Sequence, residues 1–411
     1  MSKSTISLLE AKRVLNFMID NNNRMQEAGI TPIAVALESD PGIGKTSLVE
    51  QVAEERKMRI VKLNLAQMDE VGDLIGYPIK EHECQVATVI KSEDGTKKMK
   101  IMPDKAWVNE GMLKQTNTGI MYKQTGKTRM SYAKPAWVPE YCENGTILLL
   151  DDHVRAVPQL LQSAMELILT QKYISWNLPK KTTIVLTNNQ DDGNSNVSSL
   201  DEAQRTRFMN YNVAFDIDAW SQWAESAGID GRCINFVMSY SNELFSADEN
   251  GARICNPRSF TMFANSIASI KDWDNELSFI NMLSKGCFDD EDNRFSSMFT
   301  SFITNKMHLL IQPEEIMRGS WDTVKKKLND SLDGRPDIAT LIERRLSNYV
   351  VSKSKSGELD LNTFKNRVLD IIRDGIFSKD MLYHLLKTVT NGNLKWGTKL
   401  LTNQEISSVL A

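Results

Sequence analysis

One short stretch near the N-terminus constrains the fold more than any other part of the chain. Residues 33–46 read Ile-Ala-Val-Ala-Leu-Glu-Ser-Asp-Pro-Gly-Ile-Gly-Lys-Thr, an apolar run followed by a turn with two glycines. The apolar residues that follow recur at helical spacing; they are Leu48, Val49, Val52 and Ala53. The succession predicts a strand, a tight loop and a helix, which together begin an α/β unit.

The loop itself has the composition of a phosphate-binding loop. Its backbone N–H groups are expected to converge on one point, and the helix N-terminus adds partial positive charge. Lys45 is then placed to reach the β- and γ-phosphates, and the Thr46 hydroxyl to ligate Mg²⁺. The match is imperfect, because Ser39 stands where the full pattern has its first glycine. An ordinary surface turn is the alternative. The candidate nucleotide-binding residues are Asp40, Pro41, Gly42, Ile43, Gly44, Lys45, Thr46 and Ser47.

Further strands and helices follow in alternation. Strands are predicted at 59–65, 146–152, 173–178, 183–186 and 211–215, and helices at 156–170 and 200–208. This order predicts an α/β fold with a parallel sheet and helices on both of its faces. We therefore predict a nucleotide-binding core over residues 1–215, a helical lid over 216–290 and a helical C-terminal domain over 291–411. The last is expected to dock on an assembly rather than perform chemistry.

Residues 81–134 interrupt this alternation. Two passages, Val86–Met102 and Gly119–Tyr132, resemble hairpins because each contains a turn signal, Asp94-Gly95 in one and Thr125-Gly126 in the other. Residues 91–134 hold ten Lys and Arg against four acidic residues. The segment is predicted to be an exposed, basic, β-rich insertion in the core.

Composition excludes several classes of protein. No stretch approaches the length of a membrane span, and the N-terminus lacks a signal-peptide pattern. The five cysteines and four histidines are scattered without metal-ligand spacing. Free thiols in a reducing cytoplasm are the simplest interpretation of the cysteines. We expect a cytoplasmic protein without contact with a membrane.

Paired acids follow the apolar run at residues 146–150. Asp151 is placed to hold Mg²⁺ and Asp152 to polarise an attacking water, since such residues lie at the carboxyl end of a buried strand. The alternative is that both acids cap the following helix. Asn188 and Asn189 end the next strand, where an amide can orient a water, and the spacing does not decide between them.

Three arginines are candidates for contact with phosphate. Arg205 and Arg207 lie near the end of a short predicted helix, where an arginine can reach a neighbouring subunit; a surface ion pair is the alternative. Arg258 follows Asn256-Pro257, a pair suited to an N-cap and a first helical position. An arginine in a first helical turn opposes the helix dipole, which favours a compensating anion.

Taken together, these motifs resemble the AAA+ ATPases, and within them the MoxR and dynein-related branch. Ser39–Thr46 is similar to the Walker A loop of that family, and Leu148–Asp152 is similar to its Walker B strand. Asp151–Ala156 resembles the branch's Asp-Glu-Ile-Asn-Arg-Ala. Leu200–Phe208 resembles its Leu-Pro-Glu-Ala-Gln-Leu-Asp-Arg-Phe segment, which implies Arg207 as the arginine finger. Asn189 resembles the sensor 1 residue and Pro257-Arg258 the sensor 2 motif.

Three positions depart from the family pattern. Ser39 replaces a glycine, Asp152 replaces the usual glutamate with a side chain one methylene shorter, and Val154 replaces an asparagine. The shorter acid implies slow hydrolysis.

The resemblance implies a protein that binds ATP and Mg²⁺ and forms a homo-oligomer, a hexameric ring. It implies remodelling or maturation of a protein client, with a separate von Willebrand factor A domain protein as a candidate partner. Two alternatives stay open: a nucleic-acid motor or loader that uses the basic insertion at 91–134, and a structural ATP-binding protein that hydrolyses poorly.

Overall fold

The computed structural model describes residues 5–91, 97–114, 120–189, 202–246, 253–288, 292–332 and 335–410. The chain forms two compact units. The first consists largely of Glu10–Asp40 and Lys45–Val213, and the second largely of Pro41–Gly44 and Ala214–Ala411.

Within the described residues, the strands lie almost entirely in the first unit, and the second unit is otherwise helical. The strands are β1 (Thr5–Ser7), β2 (Ala34–Ser39), β3 (Arg59–Asn64), β4 (Pro78–Lys91), β5 (Lys97–Asn109), β6 (Ile120–Tyr132), β7 (Thr146–Asp151), β8 (Lys172–Tyr173), β9 (Trp176–Asn177), β10 (Thr182–Asn189) and β11 (Phe208–Ala214). The α-helices are α1 (Leu8–Glu27), α2 (Lys45–Glu55), α3 (Val71–Ile75), α4 (Glu110–Leu113), α5 (Pro158–Thr170), α6 (Glu202–Arg205), α7 (Ile217–Ser226), α8 (Gly231–Phe245), α9 (Pro257–Ile267), α10 (Leu277–Cys287), α11 (Arg294–Thr304), α12 (Pro313–Arg318), α13 (Trp321–Leu332), α14 (Pro336–Ser356), α15 (Leu361–Arg373), α16 (Lys379–Gly392), α17 (Leu394–Leu400) and α18 (Gln404–Leu410).

The central sheet of the first unit has the strand order β1-β11-β2-β10-β7-β3. Strand β2 pairs in parallel with β11 and β10, and β7 pairs in parallel with β10 and β3. The middle residues of these strands, such as Val35, Leu149 and Val185, are fully buried. Continuous apolar strands are typical of a parallel sheet covered on both faces. The predicted α/β fold is confirmed.

Helix α2 shows how the apolar pattern places the loop. Its predicted inward residues Leu48, Val49, Val52 and Ala53 are all buried. Because this face is held against the sheet, the N-terminus of the helix is fixed at the end of β2. Lys45 and Thr46 are its first two residues.

The insertion is a separate antiparallel sheet in which β4 lies between β5 and β6. The first predicted hairpin is confirmed by the pairing of β4 with β5, and its turn at 92–96 lies outside the described residues. The second predicted hairpin is wrong, because β6 runs unbroken through Gly126 and pairs with β4. The register shifts where residues 125–127 of β6 lie opposite Glu83 of β4, and Gly126 has φ 92°. The glycine therefore forms a bulge instead of a turn.

Two shorter elements also differ from expectation. Residues 173–178 do not form one strand. They include the last residue of β8 and all of β9, which pair in an antiparallel manner around a tight turn at Ile174 and Ser175. The helix expected at 200–208 is reduced to α6 in the described residues, and β11 already begins at Phe208. Alternation of apolar residues did not distinguish a two-residue strand pair from a single strand.

The second unit buries two apolar clusters. One is dominated by phenylalanines and is centred on Phe236, Phe260 and Phe299, and the other is aliphatic and is centred on α14 and α16. Between them, α7 packs against α14 through charged side chains. Arg344 donates to both carboxylate oxygens of Asp218 at 2.7 and 2.8 Å, and Arg345 contacts Glu225 at 3.3 Å.

All five cysteines are free thiols, as predicted. Across the described ranges, no helix combines the length and apolar character needed to cross a lipid bilayer.

Candidate functional site

The loop between β2 and α2 depends on its two glycines. Gly42 has φ 81° and Gly44 has φ 105°, conformations that residues with a Cβ rarely adopt. Gly42 also has no room for a side chain, because a Cβ there would lie 2.5 Å from Asn256 Oδ1 and 3.2 Å from Arg258 Cβ. Of the other predicted loop residues, Ile43 is buried, whereas Pro41 and Ser47 are exposed.

Lys45 is held close to the end of β2. It is only 7% exposed, and its Nζ donates to Ser39 Oγ at 2.7 Å and to the Ser39 and Asp40 carbonyls at 3.2 and 3.1 Å. A further hydrogen bond joins Nζ to Asn189 Oδ1 at 3.2 Å. The acceptors of these hydrogen bonds are neutral oxygens, and together they orient the ammonium.

Asp151, at the end of β7, joins several of the predicted residues. Its Oδ1 accepts a hydrogen bond from Thr46 Oγ1 at 3.2 Å and another from the Thr187 hydroxyl. Its Oδ2 lies 3.0 Å from Lys62 Nζ. Burial acts to raise the pKa of Asp151, but the hydrogen bonds from Thr187, Lys62 and Thr46 lower it below its ordinary 3.8. The carboxylate is therefore ionised at neutral pH.

This donor set fits Mg²⁺. The ion prefers hard oxygen ligands and is usually held by one or two protein groups together with phosphates and water. The Thr46 hydroxyl and the Asp151 carboxylate are such ligands, and they lie within hydrogen-bond distance of one another. The described residues contain no cluster of three or more His, Cys, Asp and Glu side chains that would hold a metal by itself.

Asp152 follows immediately, in the left-handed conformation with φ 50° and ψ 38°. Its backbone N–H donates to the Thr187 carbonyl at 3.0 Å, which fixes this strained residue beside β10. Its Oδ1 accepts from Asn189 Nδ2 at 3.2 Å. Asn189 thus donates to Asp152 and accepts from Lys45, and it links the two groups through one amide.

The two asparagines at the end of β10 have different surroundings. Asn188 is buried, and its Nδ2 lies 3.4 Å from His153 Nε2. Neighbouring residues of a strand point to opposite faces, so only one of the two amides can face Lys45. Burial lowers the pKa of His153 to about 4, despite the nearby Glu38 carboxylate. The imidazole is therefore neutral at physiological pH.

The predicted arginines do not all lie in this cluster. Arg205 ends α6 and is exposed, and Arg207 lies half-buried just before β11, both in the first unit. Arg258 is an exposed residue in the first turn of α9, within the second unit. Asn256 caps that helix through a hydrogen bond from Ser259 N to its Oδ1, as its sequence position predicted.

Sequence reasoning missed three residues of the cluster: Ser39, Lys62 and Thr187. Ser39 had been treated only as a departure from a glycine pattern, whereas its hydroxyl contacts Lys45. Thr187 and Lys62 are found from the parallel register, in which Thr187 lies opposite Asp151 on β10, and Lys62 lies opposite Leu149 on β3. Strand order was the missing information, and a single sequence does not specify it.

Comparisons with known proteins give similarity only at a low level. No protein-family model matches the chain, and no curated protein matches it. Among solved structures, a mutant of RuvB from Thermotoga maritima aligns at a TM-score of 0.35 and 13% identity, covering 69% of each chain. A Cytophaga hutchinsonii protein with a provisional ATPase assignment aligns at a TM-score of 0.26 and 16% identity, covering 67% of this chain and 70% of its own. Such values carry no weight for function, which must rest on the site itself.

Proposed function

We propose that the chain is an ATP-binding and ATP-hydrolysing AAA+ protein of MoxR type that remodels or matures a protein client. One observation carries the proposal. Lys45, Thr46, Asp151, Asp152 and Asn189 come from three separate segments and are joined by hydrogen bonds at the carboxyl ends of β2, β7 and β10. In open α/β sheets this edge is where ligands bind.

The residues divide into phosphate-binding and metal-binding groups. Lys45 and the N–H groups at the start of α2 bind the β- and γ-phosphates, aided by the helix dipole. Thr46 and Asp151 hold Mg²⁺, which supplies charge neutralisation for the transferred phosphoryl group. Hydrogen bonds to Ser39, Asp40 and Asn189 hold the Lys45 side chain in position for phosphate binding.

Asp152 and Asn189 act on the attacking water. The water oxygen forms the new bond to the γ-phosphorus, the bond from that phosphorus to the bridging oxygen of ADP breaks, and Asp152 accepts the proton. Asn189 positions this carboxylate through its 3.2 Å hydrogen bond. The short side chain of Asp152 limits its reach, and we therefore propose slow hydrolysis.

Two arginines complete the proposed machinery. Arg207 acts on the γ-phosphate of a neighbouring subunit in a hexameric ring, and Arg258 contacts the nucleotide. Motion of the helical second unit then acts on the client, for which a separate von Willebrand factor A domain protein is a candidate partner.

A nucleotide-binding measurement tests whether Lys45 belongs to the ATP site. Lys45→Ala removes a charge that makes several charge-assisted bonds to phosphate, so affinity for a fluorescent ATP analogue should fall by about 100-fold or more. Lys180→Ala, an exposed lysine of the same unit, is the matched control and should bind as the wild type does. Unchanged affinity in a folded Lys45→Ala protein would refute the site.

Client identity is tested by capture. A ring trapped with ATP by Asp152→Asn should retain a protein when it is isolated from cells. Recovery of nucleic acid in a salt-sensitive manner, and of no protein, would instead favour a nucleic-acid motor that uses the basic residues 91–134.

A further inference from the structure

Lys62 places a second ammonium group at the proposed metal site. Its Nζ lies 3.0 Å from Asp151 Oδ2, on the carboxylate assigned to Mg²⁺. The contact follows from the sheet: Asn64 lies opposite Asp151, and Lys62, two residues earlier on β3, projects from the same face. The long side chain then spans the diagonal to the carboxylate.

Both carboxylate oxygens of Asp151 already have partners in this arrangement. Oδ1 accepts from Thr46 and Thr187, and Oδ2 contacts Lys62. A divalent ion that binds Asp151 must therefore share the carboxylate with an ammonium or displace it. Like charges at such distances repel, and the repulsion is greatest where water is partly excluded.

Lys62 is also able to leave. Its side chain is 44% exposed, so leaving Asp151 for water costs little more than the modest attraction of a partly exposed ion pair. Glu50, in α2, has a carboxylate oxygen 4.0 Å from the same Nζ and is itself half exposed. The Glu50 carboxylate can therefore bind the ammonium when Asp151 binds a metal ion.

We propose that Lys62 competes with the divalent metal for Asp151 and thereby sets the Mg²⁺ concentration that the site requires. This inference rests on the proposed function. In the absence of metal, Lys62 balances the Asp151 charge, and binding of the metal transfers Lys62 toward Glu50. Lys62 is thus not a ligand of the nucleotide, and its removal should tighten metal binding without changing the affinity for nucleotide alone.

The test measures Mn²⁺ binding rather than turnover. Wild type, Lys62→Met, Lys62→Gln and the charge-conserving Lys62→Arg are saturated with a non-hydrolysable ATP analogue and titrated with Mn²⁺, whose free form is followed by electron paramagnetic resonance. Both neutral variants should bind Mn²⁺ about 10-fold more tightly than the wild type. Lys62→Arg should stay close to the wild type, and all four should bind the analogue equally in EDTA.

Outcomes distinguish this inference from the proposed function. Equal or weaker Mn²⁺ binding by both neutral variants, with nucleotide bound normally in EDTA, would overturn the role of Lys62 and leave the ATP site intact. If Lys62→Arg tightened binding as much as the neutral variants do, competition by charge would also be refuted. Failure of the wild type to bind nucleotide at all would refute the proposed function and this inference with it.

Discussion

Two regions that bury charged side chains differ in how the charge is accommodated: the carboxyl edge of the central sheet in the first unit, and the contact between α7 and α14 in the second. At the sheet edge, Lys45 is oriented by a serine, two backbone carbonyls and an amide. Between the helices, Arg345 is 3% exposed and contacts Glu225, and it donates to Asn235 at 2.7 Å. In the first region the hydrogen bonds of Lys45 go to neutral oxygens, whereas in the second the buried Arg345 contacts a carboxylate.

The difference indicates what each region is for. Opposite charges that neutralise one another hold two helices together and leave little field for a ligand. A buried cation whose hydrogen bonds go to dipoles costs stability, but under the proposed function its charge is available to an anionic ligand. The Arg345 and Glu225 side chains are nearly removed from water, and burial raises the pKa of Glu225 although Arg345 opposes that shift.

The largest expected effect is a loss of the ATP hydrolysis rate with no change in the stability of the fold. Arg207→Ala should lower the rate of ATP hydrolysis by ~10³–10⁵-fold, the contribution of arginine fingers, and should leave thermal unfolding unchanged. Mixing it with inactive Lys45→Ala should restore part of the activity, because an intact site forms at some mixed interfaces. Arg205→Ala serves as the neighbouring control and should keep most of its rate. No recovery at any mixing ratio, in rings shown to be mixed, would contradict the action across subunits.

A variant of the contact between α7 and α14 should show the opposite behaviour: the fold should lose stability, and the affinity for nucleotide should not change. Arg345→Met leaves Glu225 buried without its cation, and loss of one partner of a buried pair costs about 3–5 kcal/mol. Urea unfolding followed by tryptophan fluorescence measures this loss, and affinity for nucleotide at low temperature should not change. The double variant Arg345→Met with Glu225→Leu should recover much of the stability. If Arg345→Met were as stable as the wild type, the contact between Arg345 and Glu225 would not stabilise the packing of α7 against α14.

The smallest effect is a change in the pH dependence of stability. Burial acts to raise the pKa of Asp218, but hydrogen bonds from Arg344 and Asn348 lower it below its ordinary 3.8. A lowered folded-state pKa contributes stability above the unfolded pKa, and the contribution is lost as the pH falls through the folded value. Asp218→Asn should therefore be less stable than the wild type by about 1 kcal/mol at pH 7.

This difference should shrink as the pH falls below about 4. The free energy of unfolding in urea, measured from pH 7 down to pH 3, checks the sign. A difference that stayed constant over this range would show that Arg344 stabilises the protein by packing rather than by charge.

Local pattern was sufficient for the elements with long apolar runs and for the loop between them. The residues of α2 that recur at helical spacing are the buried ones, and β2, β7 and β10 contain the predicted runs. Pattern failed at Gly126 and at residues 173–178, where a glycine or a short apolar run is compatible with either a turn or a strand. In β6 the pairing with β4 decided the matter, because a bulge keeps the hydrogen bonds on both sides of the glycine.

The sequence by itself determined the kinds of chemical groups in the site and their places along the chain: a lysine and threonine after a glycine loop, and acids and amides at strand ends. Tertiary structure alone decided which of them meet. Strand order brings β10 between β2 and β7, so that Asn189 contacts Lys45 and Asp152, and it sets β3 beside β7, so that Lys62 reaches Asp151. The physical reason is that hydrogen-bond partners of a strand are fixed by register with distant segments, whereas periodicity reports only which face of each element is buried.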